Sequence, residues 1–311
     1  MITKDSSIFI AGHNGMVGSS ILRCFFKKGF SNLLIRNKKE LDLRIQKEVD
    51  FFFKRNKIDC VILAAAKVGG IQANINYPAD FFYDNLLIQT NVIYAAKNNN
   101  VKKIIFLGSS CIYPTACPQP MKEEYLLSGP LEPTNEAYAL AKVTGIKMLK
   151  AFNTQYGLQS LTIIPPNLYG PNDSFDLENC HVLSALVKRF LDAKTKKWNE
   201  ITLWGSGIAR REFMHVDDIA EATCFLLNQK IEDDILNVGH GKDISIKELA
   251  MMIAQKINFN GEILWDTSKP NGMLKKCMDV SKMEQINFVP KINLKEGIDQ
   301  MLKKYKKIQT L

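Results

Sequence analysis

Apolar runs alternate with helical patterns through the first half of the chain. Five segments are nearly continuous in apolar residues, which is typical of buried strands: SIFIAG, NLLIR, DCVILAAA, KKIIFLGSS and SLTIIPPNLYG. Four segments between them repeat apolar residues at the helical period: VGSSILRCFFKKG, residues 46–56, LLIQTNVIYAAKNNN and YALAKVTGIKMLKAFNTQYG. This alternation predicts an α/β fold with a doubly wound parallel sheet of the Rossmann type.

The alternation breaks after Tyr169. GPNDSFDLENC is rich in loop-forming residues, a helix is predicted over 181–193, and ITLWGSG predicts a strand and turn. REFMHVDDIAEATCFLLNQ then predicts a short strand and an amphipathic helix that return to the first unit. We expect a Rossmann domain of residues 1–170 and 212–240, and a smaller, discontinuous α/β substrate domain of residues 171–211 and 241–311.

The overall composition is that of a globular protein. The 311 residues are 46% hydrophobic, enough to bury a sizeable core. No apolar run is long enough to cross a bilayer, and MITKDSSIFIAG lacks the apolar core and cleavage site of a signal peptide. Seven cysteines, an odd number without CxxC spacing, indicate reduced thiols. We therefore expect a cytoplasmic protein without a membrane partner.

The net charge of +9, from 41 Lys and Arg against 32 Asp and Glu, raises the question of nucleic-acid binding. The basic residues are dispersed along the chain, with concentrations only at residues 194–197 and in LKKYKK. This distribution favours a solvated basic surface over a nucleic-acid site. A positive field also favours an anionic substrate.

A glycine-rich segment, GHNGMVG, follows the first predicted strand and opens the first predicted helix. Glycine permits the tight turn and lets the backbone approach a pyrophosphate, while the helix N-terminus supplies N–H donors. Its position at a strand–helix junction favours a dinucleotide cofactor over a purely structural turn. The expected contacts are Gly12, Asn14, Gly15, Met16, Val17 and Gly18.

The residues after the second predicted strand bear on which nicotinamide cofactor binds. NAD sites tend to carry an acidic residue there for the ribose 2′-OH, whereas this chain has Arg36, followed by Lys38 and Lys39. Because cations suit a 2′-phosphate, we expect NADPH. Glu40 lies near enough to keep NAD as an alternative, and Asp42 is a candidate for the adenine edge or for a turn.

Tyr138 and Lys142, in NEAYALAK, lie four positions apart on a predicted helix and therefore share one face. A tyrosine is a poor acid–base group at neutral pH unless its phenolate is stabilised, and a neighbouring ammonium does this. The pair alone often occurs by chance in helices. Here Ser109 also ends the fourth predicted strand, and Ser, Tyr and Lys in this order after a glycine loop resemble the extended short-chain dehydrogenase/reductase family.

Further segments narrow this resemblance. AAAKVGGI, NLLIQTNVI, LGSSCIYP, LEPTNEAYALAK, NLYGP, HVLSALVKRF and REFMHVDDIA resemble the GDP-L-fucose synthase family, the GDP-4-keto-6-deoxymannose epimerase-reductases. The resemblance extends from the first strand to about Lys276. It implies an NADP-binding domain with a nucleotide-sugar domain, and a homodimer formed through two helices of each subunit.

By this resemblance, the protein reduces the 4-keto group of a GDP-linked 6-deoxy sugar with NADPH. Ser109 would polarise the C4 carbonyl, Tyr138 would donate a proton to O4, and Lys142 would support Tyr138 and the cofactor. Hydride transfer of this kind needs no metal. The other expected cofactor contacts are Ala64, Ala65 and His181, besides Tyr138 and Lys142 themselves.

Cys111, two residues after Ser109, occupies the position that distinguishes the subclasses of this family. By the resemblance, the related 4,6-dehydratases have a carboxylate at this position, and the 4-epimerases have a small neutral residue. A thiolate can remove a proton from C3 or C5, because the C4 ketone acidifies both positions. With His181 as the acid on the opposite face, the resemblance implies epimerisation at C3, at C5 or at both.

The GDP moiety needs cations for its diphosphate and a packing surface for its base. A bidentate guanidinium suits phosphate oxygens. KPNGMLKKC departs from the Arg-Lys pair that the family has here. The alignment of Lys276 with the family's substrate-contacting position can therefore shift by one residue. By the resemblance, the substrate contacts are Arg189, Trp204, Arg211 and Lys276, with Asn135 and Asn167 as further polar contacts.

Three departures from the family pattern surround the expected sugar site. Pro166 replaces a hydroxyl residue, Cys180 replaces a serine, and SFDLEN differs from the family's loop. These departures leave a GDP-linked 6-deoxy-4-keto heptose open as the substrate. They also leave open a C4 reductase without epimerase activity.

Two other classes of function remain as alternatives. A redox-neutral, NAD-dependent epimerase or dehydratase is disfavoured by Arg36 and by the lack of a carboxylate at Cys111. A catalytically idle dinucleotide-binding or RNA-associated module is disfavoured because Ser109, Tyr138 and Lys142 are all present.

Overall fold

A computed structural model describes residues 1–176, 180–232 and 234–309, with side chains described as far as Tyr305. The first half contains β1 Ile8–Ala11, α1 Met16–Lys27, β2 Leu33–Leu34, α2 Gln46–Arg55, β3 Cys60–Leu63, α3 Ile71–Asn76, α4 Pro78–Asn98, β4 Lys103–Leu107, α5 Glu136–Tyr156 and β5 Gln159–Ile164. The second half contains β6 Asn167–Tyr169, α6 Val182–Thr195, β7 Glu200–Trp204, β8 Arg210–His215, α7 Val216–Leu226, β9 Ile235–Asn237, β10 Asp243–Ser245, α8 Ile246–Ile257, β11 Glu262–Asp266, β12 Lys275–Lys276, α9 Ser281–Gln285 and α10 Leu294–Gln309.

A six-stranded parallel sheet in the order β2-β1-β3-β4-β5-β9 forms the centre of the molecule. Apolar residues of α2, α4 and α5 join one core cluster of the sheet, and those of α1 and α7 join another. Because helices cover both faces, the strands are apolar throughout, as the sequence indicates. The structure confirms the predicted doubly wound α/β fold.

The strand order reverses between β1 and β3. In doubly wound sheets, ligands bind in the crevice beyond the carboxyl ends of the strands at such a point. The glycine-rich segment follows β1, and the segment that begins with Ala64 follows β3. Both therefore stand at this crevice.

The prediction of one continuous strand in SLTIIPPNLYG is wrong. β5 ends at Ile164, and β6 pairs with β8 in a second sheet. Pro165 and Pro166 separate the two strands, because proline has no N–H to donate to a sheet ladder. The chain leaves the central sheet at this point and turns towards the crevice.

The second sheet is built around β8. β10 pairs with β8 in antiparallel orientation, while β12 and β6 pair with it in parallel orientation. β7 and β11 form a separate parallel pair. A third apolar cluster joins these strands to α6, α8 and α10, and includes Phe190, Phe213 and Ile253.

A buried carboxylate ties this sheet to two later segments. Glu212, in β8, is fully buried. Its Oε1 accepts the N–H groups of His240 and Gly241 at 2.6 and 2.9 Å, and its Oε2 accepts the N–H of Met278 at 2.7 Å. Among the described residues, no helix combines the length and apolar character that crossing a membrane requires.

Candidate active site

A cavity of about 1180 Å³ opens at the crevice of the central sheet and extends towards the second sheet. The cavity is lined by the residues predicted to contact cofactor or substrate and by those predicted to act in catalysis. The one exception is Lys39, which does not line the cavity. The cavity therefore joins the glycine loop, the Ser-Tyr-Lys set and the predicted GDP contacts in one space.

The glycine loop has the shape of a phosphate site. Gly12 has φ of +87°, and a Cβ there would meet the backbone of Ala65 at 2.7 Å. A Cβ on Gly18 would overlap the backbone of Gly12, whereas one on Gly15 would meet only the Gly12 oxygen, at 3.5 Å. Gly15 caps α1 without a side-chain hydrogen bond, so the first N–H groups of the helix remain available to an anion.

Arg36 stands at the rim of the cavity and is exposed. Its Nη1 donates to the carbonyl of Ile35 at 2.6 Å, and its guanidinium lies 5.5 Å from the centre of the Phe52 ring. Glu40 lies outside the cavity wall and accepts the N–H of Asn37 at 2.8 Å. The cation, and not the carboxylate, is therefore the side chain presented to a ribose substituent.

Asp42 lines the cavity, but its carboxylate is engaged. Arg44 donates to Asp42 through Nη2 at 2.7 Å and also pairs with Asp84 at 3.2 Å. The hydrogen bond from Arg44 holds the pKa of Asp42 below its ordinary value. Asp42 thus orders the loop as an ionised residue, and its contact with the adenine stays a prediction.

Lys142 lies on α5, lines the cavity and is almost fully buried. Its Nζ donates to the carbonyl of Leu107 at 2.8 Å and lies 6.0 Å from the centre of the Tyr138 ring. Burial lowers the pKa of Lys142 from 10.5 to about 7. A bound hydroxyl-rich or anionic group beside Nζ would replace part of the solvation that burial removes.

Tyr138 is half-buried, and its ring packs edge-on against Phe81 with centroids 6.4 Å apart. Burial raises the pKa of Tyr138 above its ordinary value; the charge of Cys111 adds to this rise and a hydrogen bond with Ser109 opposes it. The expectation that Lys142 stabilises a phenolate of Tyr138 stays a prediction. The residue is a protonated phenol, which is the form that a proton donor requires.

Ser109 and Cys111 share one short turn after β4. Ser109 caps a single 3-10 turn, and its hydroxyl accepts the N–H of Cys111 at 3.3 Å. The sulfur of Cys111 lies 3.4 Å from Nδ2 of Asn135 and 3.5 Å from Nζ of Lys276. A cation therefore stands beside the thiol, which is the setting in which cysteines act as thiolates.

His181 is the N-cap residue of α6 and lines the same cavity. Its Nδ1 is buried and lies 3.6 Å from Oδ1 of Asp173. The neighbouring Cys180 is buried, and burial together with the charge of Asp173 raises its pKa to about 11. Cys180 therefore remains a thiol at neutral pH and does not compete with Cys111 as a base.

The predicted substrate contacts line the part of the cavity nearest the second sheet. Arg211 is held by the carbonyls of Arg210 and Asn271, at 2.9 and 3.1 Å, and burial lowers its pKa. Arg189 donates to the carbonyl of Thr202 at 3.1 Å. These contacts leave further N–H groups on both guanidinium groups for phosphate oxygens.

Trp204 and Asn167 complete the predicted substrate set. Trp204 is 44% exposed, and Nζ of Lys269 lies 5.6 Å from the centre of its ring. An exposed indole at a cavity mouth offers a stacking surface for a base. Asn167 donates Nδ2 to the carbonyl of Glu212 at 2.9 Å, so this amide also fixes β6 against β8.

Four residues near the site were not found from the sequence. Asp173 follows the NLYGP segment, and only its place in that loop could have marked it. Arg44 engages Asp42, while Lys269 and Asn271 contact Trp204 and Arg211 from a distant loop. The described residues contain no group of three or more His, Cys, Asp and Glu side chains placed to hold a metal.

The sequence profile of the NAD dependent epimerase/dehydratase family matches residues 8–239 of this chain. The chain belongs to this family. Over 300 residues it is 46% identical to the GDP-L-fucose synthase of Escherichia coli strain K12, covering 94% of each chain. It is 49% identical to GDP-L-fucose synthase 1 of Arabidopsis thaliana, covering 96% of this chain and 93% of that protein.

A solved structure of a similar protein supports the same fold. A GDP-mannoheptose C4 reductase from Campylobacter jejuni, with NADP bound, superposes with a TM-score of 0.88 and 35% identity. The match covers 98% of this chain and 100% of that one. The two GDP-L-fucose synthases confirm the resemblance to that family over 94% and 96% of this chain.

Proposed function

We propose that this chain is an NADPH-dependent nucleotide-sugar oxidoreductase. It reduces the C4 ketone of a GDP-linked 4-keto-6-deoxy sugar and epimerises C3, C5 or both. The observation that carries this proposal is the single cavity on whose walls Ser109, Tyr138 and Lys142 stand between the glycine loop and Cys111. The relatives named GDP-L-fucose synthase support the same reaction.

The residues around the glycine loop fit NADPH. Gly12 and Gly15 leave room for a pyrophosphate at the N-terminus of α1, and Arg36, on the cavity wall after β2, would hold the 2′-phosphate. When bound, NADPH supplies the hydride, with its electron pair, to C4 of the sugar and leaves as NADP⁺. Arg36→Ala is expected to lower the preference for NADPH over NADH in kcat/KM by about 10-fold or more.

The protein's part in the reduction is to hold the sugar and supply one proton. Ser109 donates a hydrogen bond to O4, which favours negative charge on that oxygen. Tyr138 then gives its phenolic proton to O4, so that ketone, hydride and proton together form the alcohol. Lys142, whose Nζ lies 6.0 Å from the centre of the Tyr138 ring, would hold the cofactor ribose, and solvent returns the proton to Tyr138.

Epimerisation uses the two faces of the sugar. Cys111, as the thiolate, takes the proton from C3 or C5, leaving a thiol and an enolate whose charge rests on O4. His181 returns a proton to the same carbon from the opposite face, and the enolate becomes a ketone again. Lys276 beside the sulfur supplies the positive charge that the thiolate requires.

The experiment that tests both halves is turnover with NADPH and GDP-4-keto-6-deoxymannose in deuterated water, with NMR analysis of the product. Oxidation of NADPH with deuterium at C3 or C5 is the expected result. Oxidation of NADPH without deuterium at C3 or C5 would show that the protein is a C4 reductase without epimerase activity. A redox-neutral epimerase or dehydratase would consume no NADPH.

A GDP-linked heptose is the second candidate substrate. Pro166 and Cys180, two of the departures from the family pattern, both line the cavity. The structural match to a GDP-mannoheptose C4 reductase points in the same direction. NADPH oxidation against GDP-linked 4-keto hexoses and heptoses decides between them by the ratio of kcat/KM.

Three further features of the protein are part of the proposal. The division into domains at residues 170, 211 and 240 stays a prediction from the sequence, because Tyr169 and Phe213 join the cluster of the second sheet and Met283 joins that of the central sheet. A cytoplasmic location is supported by seven free cysteines among the described residues. A homodimer through α4 and α5 is supported by the apolar side chains that these helices expose, among them Tyr83, Tyr94 and Leu140.

A further inference from the structure

The imidazole of His181 is backed by a carboxylate to which the proposed reaction assigns no role. Oδ1 of Asp173 lies 3.6 Å from Nδ1 of His181. The Asp173 side chain is 4% exposed and that of His181 is 37% exposed, and both residues line the cavity. The imidazole thus lies beside a nearly buried carboxylate at the wall of the space proposed for the sugar.

Asp173 is itself fixed on both oxygens. Its Oδ1 accepts the N–H of Ser174 at 2.9 Å, and its Oδ2 accepts the hydroxyl of Ser184. Ser184 is fully buried on the first turn of α6, the same turn that His181 caps. The carboxylate and the imidazole are therefore held to one rigid element and keep their relative position.

Nδ1 of His181 is buried and has no hydrogen-bond partner among the residues the structure describes. An unpartnered buried ring nitrogen is costly, and Oδ1 of Asp173, 3.6 Å away, is an acceptor that can satisfy it. The separation of 3.6 Å exceeds a hydrogen bond by about 0.5 Å. Such contacts tighten when substrate closes a site, so a small ring rotation completes this one.

We propose that Asp173 is the positioning residue of His181. Its carboxylate accepts the Nδ1–H, fixes the ring with Nε2 towards the sugar, and stabilises the imidazolium before it acts. His181 then loses the Nε2 proton to carbon and keeps the Nδ1 proton, while Asp173 stays ionised; solvent restores the Nε2 proton. This inference rests on the proposed role of His181 as the acid in epimerisation.

The test compares Asp173→Asn with the wild-type protein in deuterated water, with NADPH and GDP-4-keto-6-deoxymannose. We expect deuterium at C3 or C5 per NADPH oxidised to fall about 10-fold or more, since a general acid contributes 10²- to 10⁴-fold. KM should change little. Asp80→Asn, which removes another carboxylate from the cavity wall, is the matched control and should keep wild-type incorporation.

Two companion variants separate the possible outcomes. Asp173→Glu keeps a carboxylate and should recover part of the deuterium incorporation. If Asp173→Glu loses as much incorporation as Asp173→Asn, the role of Asp173 is merely structural. The same conclusion follows if Asp173→Asn lowers NADPH oxidation and deuterium incorporation by the same factor. If His181→Gln incorporates deuterium as the wild type does, the proposed acid is wrong. If His181→Gln loses incorporation while Asp173→Asn retains it, only the role of Asp173 is wrong.

Discussion

At the scale of single residues, burial favours the uncharged forms of Tyr138 and Lys142, the two residues proposed to act in the reduction. It keeps Tyr138 as a phenol, so Tyr138→Phe removes the proton donor and little else from the cavity. We expect kcat for NADPH oxidation to fall by about 10²- to 10⁴-fold, with a small change in KM. Steady-state kinetics at pH 7 measures this, and wild-type NADPH binding by the variant would show that the site is intact. Undiminished kcat would revive the reading of an idle dinucleotide-binding module.

Lys142 makes stability depend on pH. Its pKa is about 7 in the folded protein against 10.5 in the unfolded chain, so between these values the unfolded chain binds more protons. Stability therefore rises with pH in this window, by up to about 1.4 kcal/mol per pH unit, and the contribution is constant below pH 7. We expect urea unfolding to show that the free energy of unfolding of the wild type increases relative to that of Lys142→Met between pH 7 and pH 9. A difference that does not change with pH would contradict this.

The sequence indicated which residues line the cavity better than it indicated the contacts that these residues make with their neighbours. Tyr138, Lys142 and Ser109 are marked by spacing and order, because helix geometry and the carboxyl ends of parallel strands fix where such residues lie. Asp173 could not be predicted in the same way, since its contact with His181 depends on an irregular loop. The engagement of Asp42 by Arg44 likewise depends on a local turn that no pattern announces.

At the scale of elements, different glycines of the glycine loop serve packing and ligand binding. Gly18→Ala places a Cβ 2.6 Å from the Gly12 carbonyl carbon and should destabilise the fold, whereas Gly15→Ala has ordinary contacts and φ of −75°. We expect Gly15→Ala to cost at most about 1 kcal/mol of stability but to weaken NADPH binding about 10-fold or more, because its methyl group faces the pyrophosphate space. Thermal unfolding without cofactor and fluorescence titration with NADPH measure the two effects. Equal losses of stability in both variants would contradict the distinction.

The elements that the sequence predicts well are those with a strong periodic pattern. α1, α2, α5 and α6 begin and end within a few residues of the predicted bounds, because their apolar faces pack against a sheet. The short strands were harder to predict. β6 is a three-residue strand that changes sheets after two prolines, and its partner β8 lies more than 40 residues later, so local pattern could not identify the pairing.

At the scale of the whole molecule, α5 carries both the proposed catalytic residues and an exposed apolar side chain. Tyr138 and Lys142 point from α5 into the cavity, and the amide of Gln89 on α4 donates to the carbonyl of Ala141, at 2.6 Å, on α5. The two helices thus form one rigid layer. Contact of this layer with a second subunit would brace the catalytic helix from outside, which links assembly to the geometry of the site.

This arrangement predicts the effect of charge on assembly. Tyr83 on α4 and Leu140 on α5 are 63% and 39% exposed. In a two-fold interface each substitution is present twice, so Tyr83→Glu with Leu140→Glu places four like charges in one contact. We expect light scattering to show a dimer for the wild type and a monomer for this variant. Phe26→Glu, at a 77% exposed position on α1, is the control that should remain dimeric. A monomeric wild type, or dissociation by Phe26→Glu alone, would show that α4 and α5 do not form the interface.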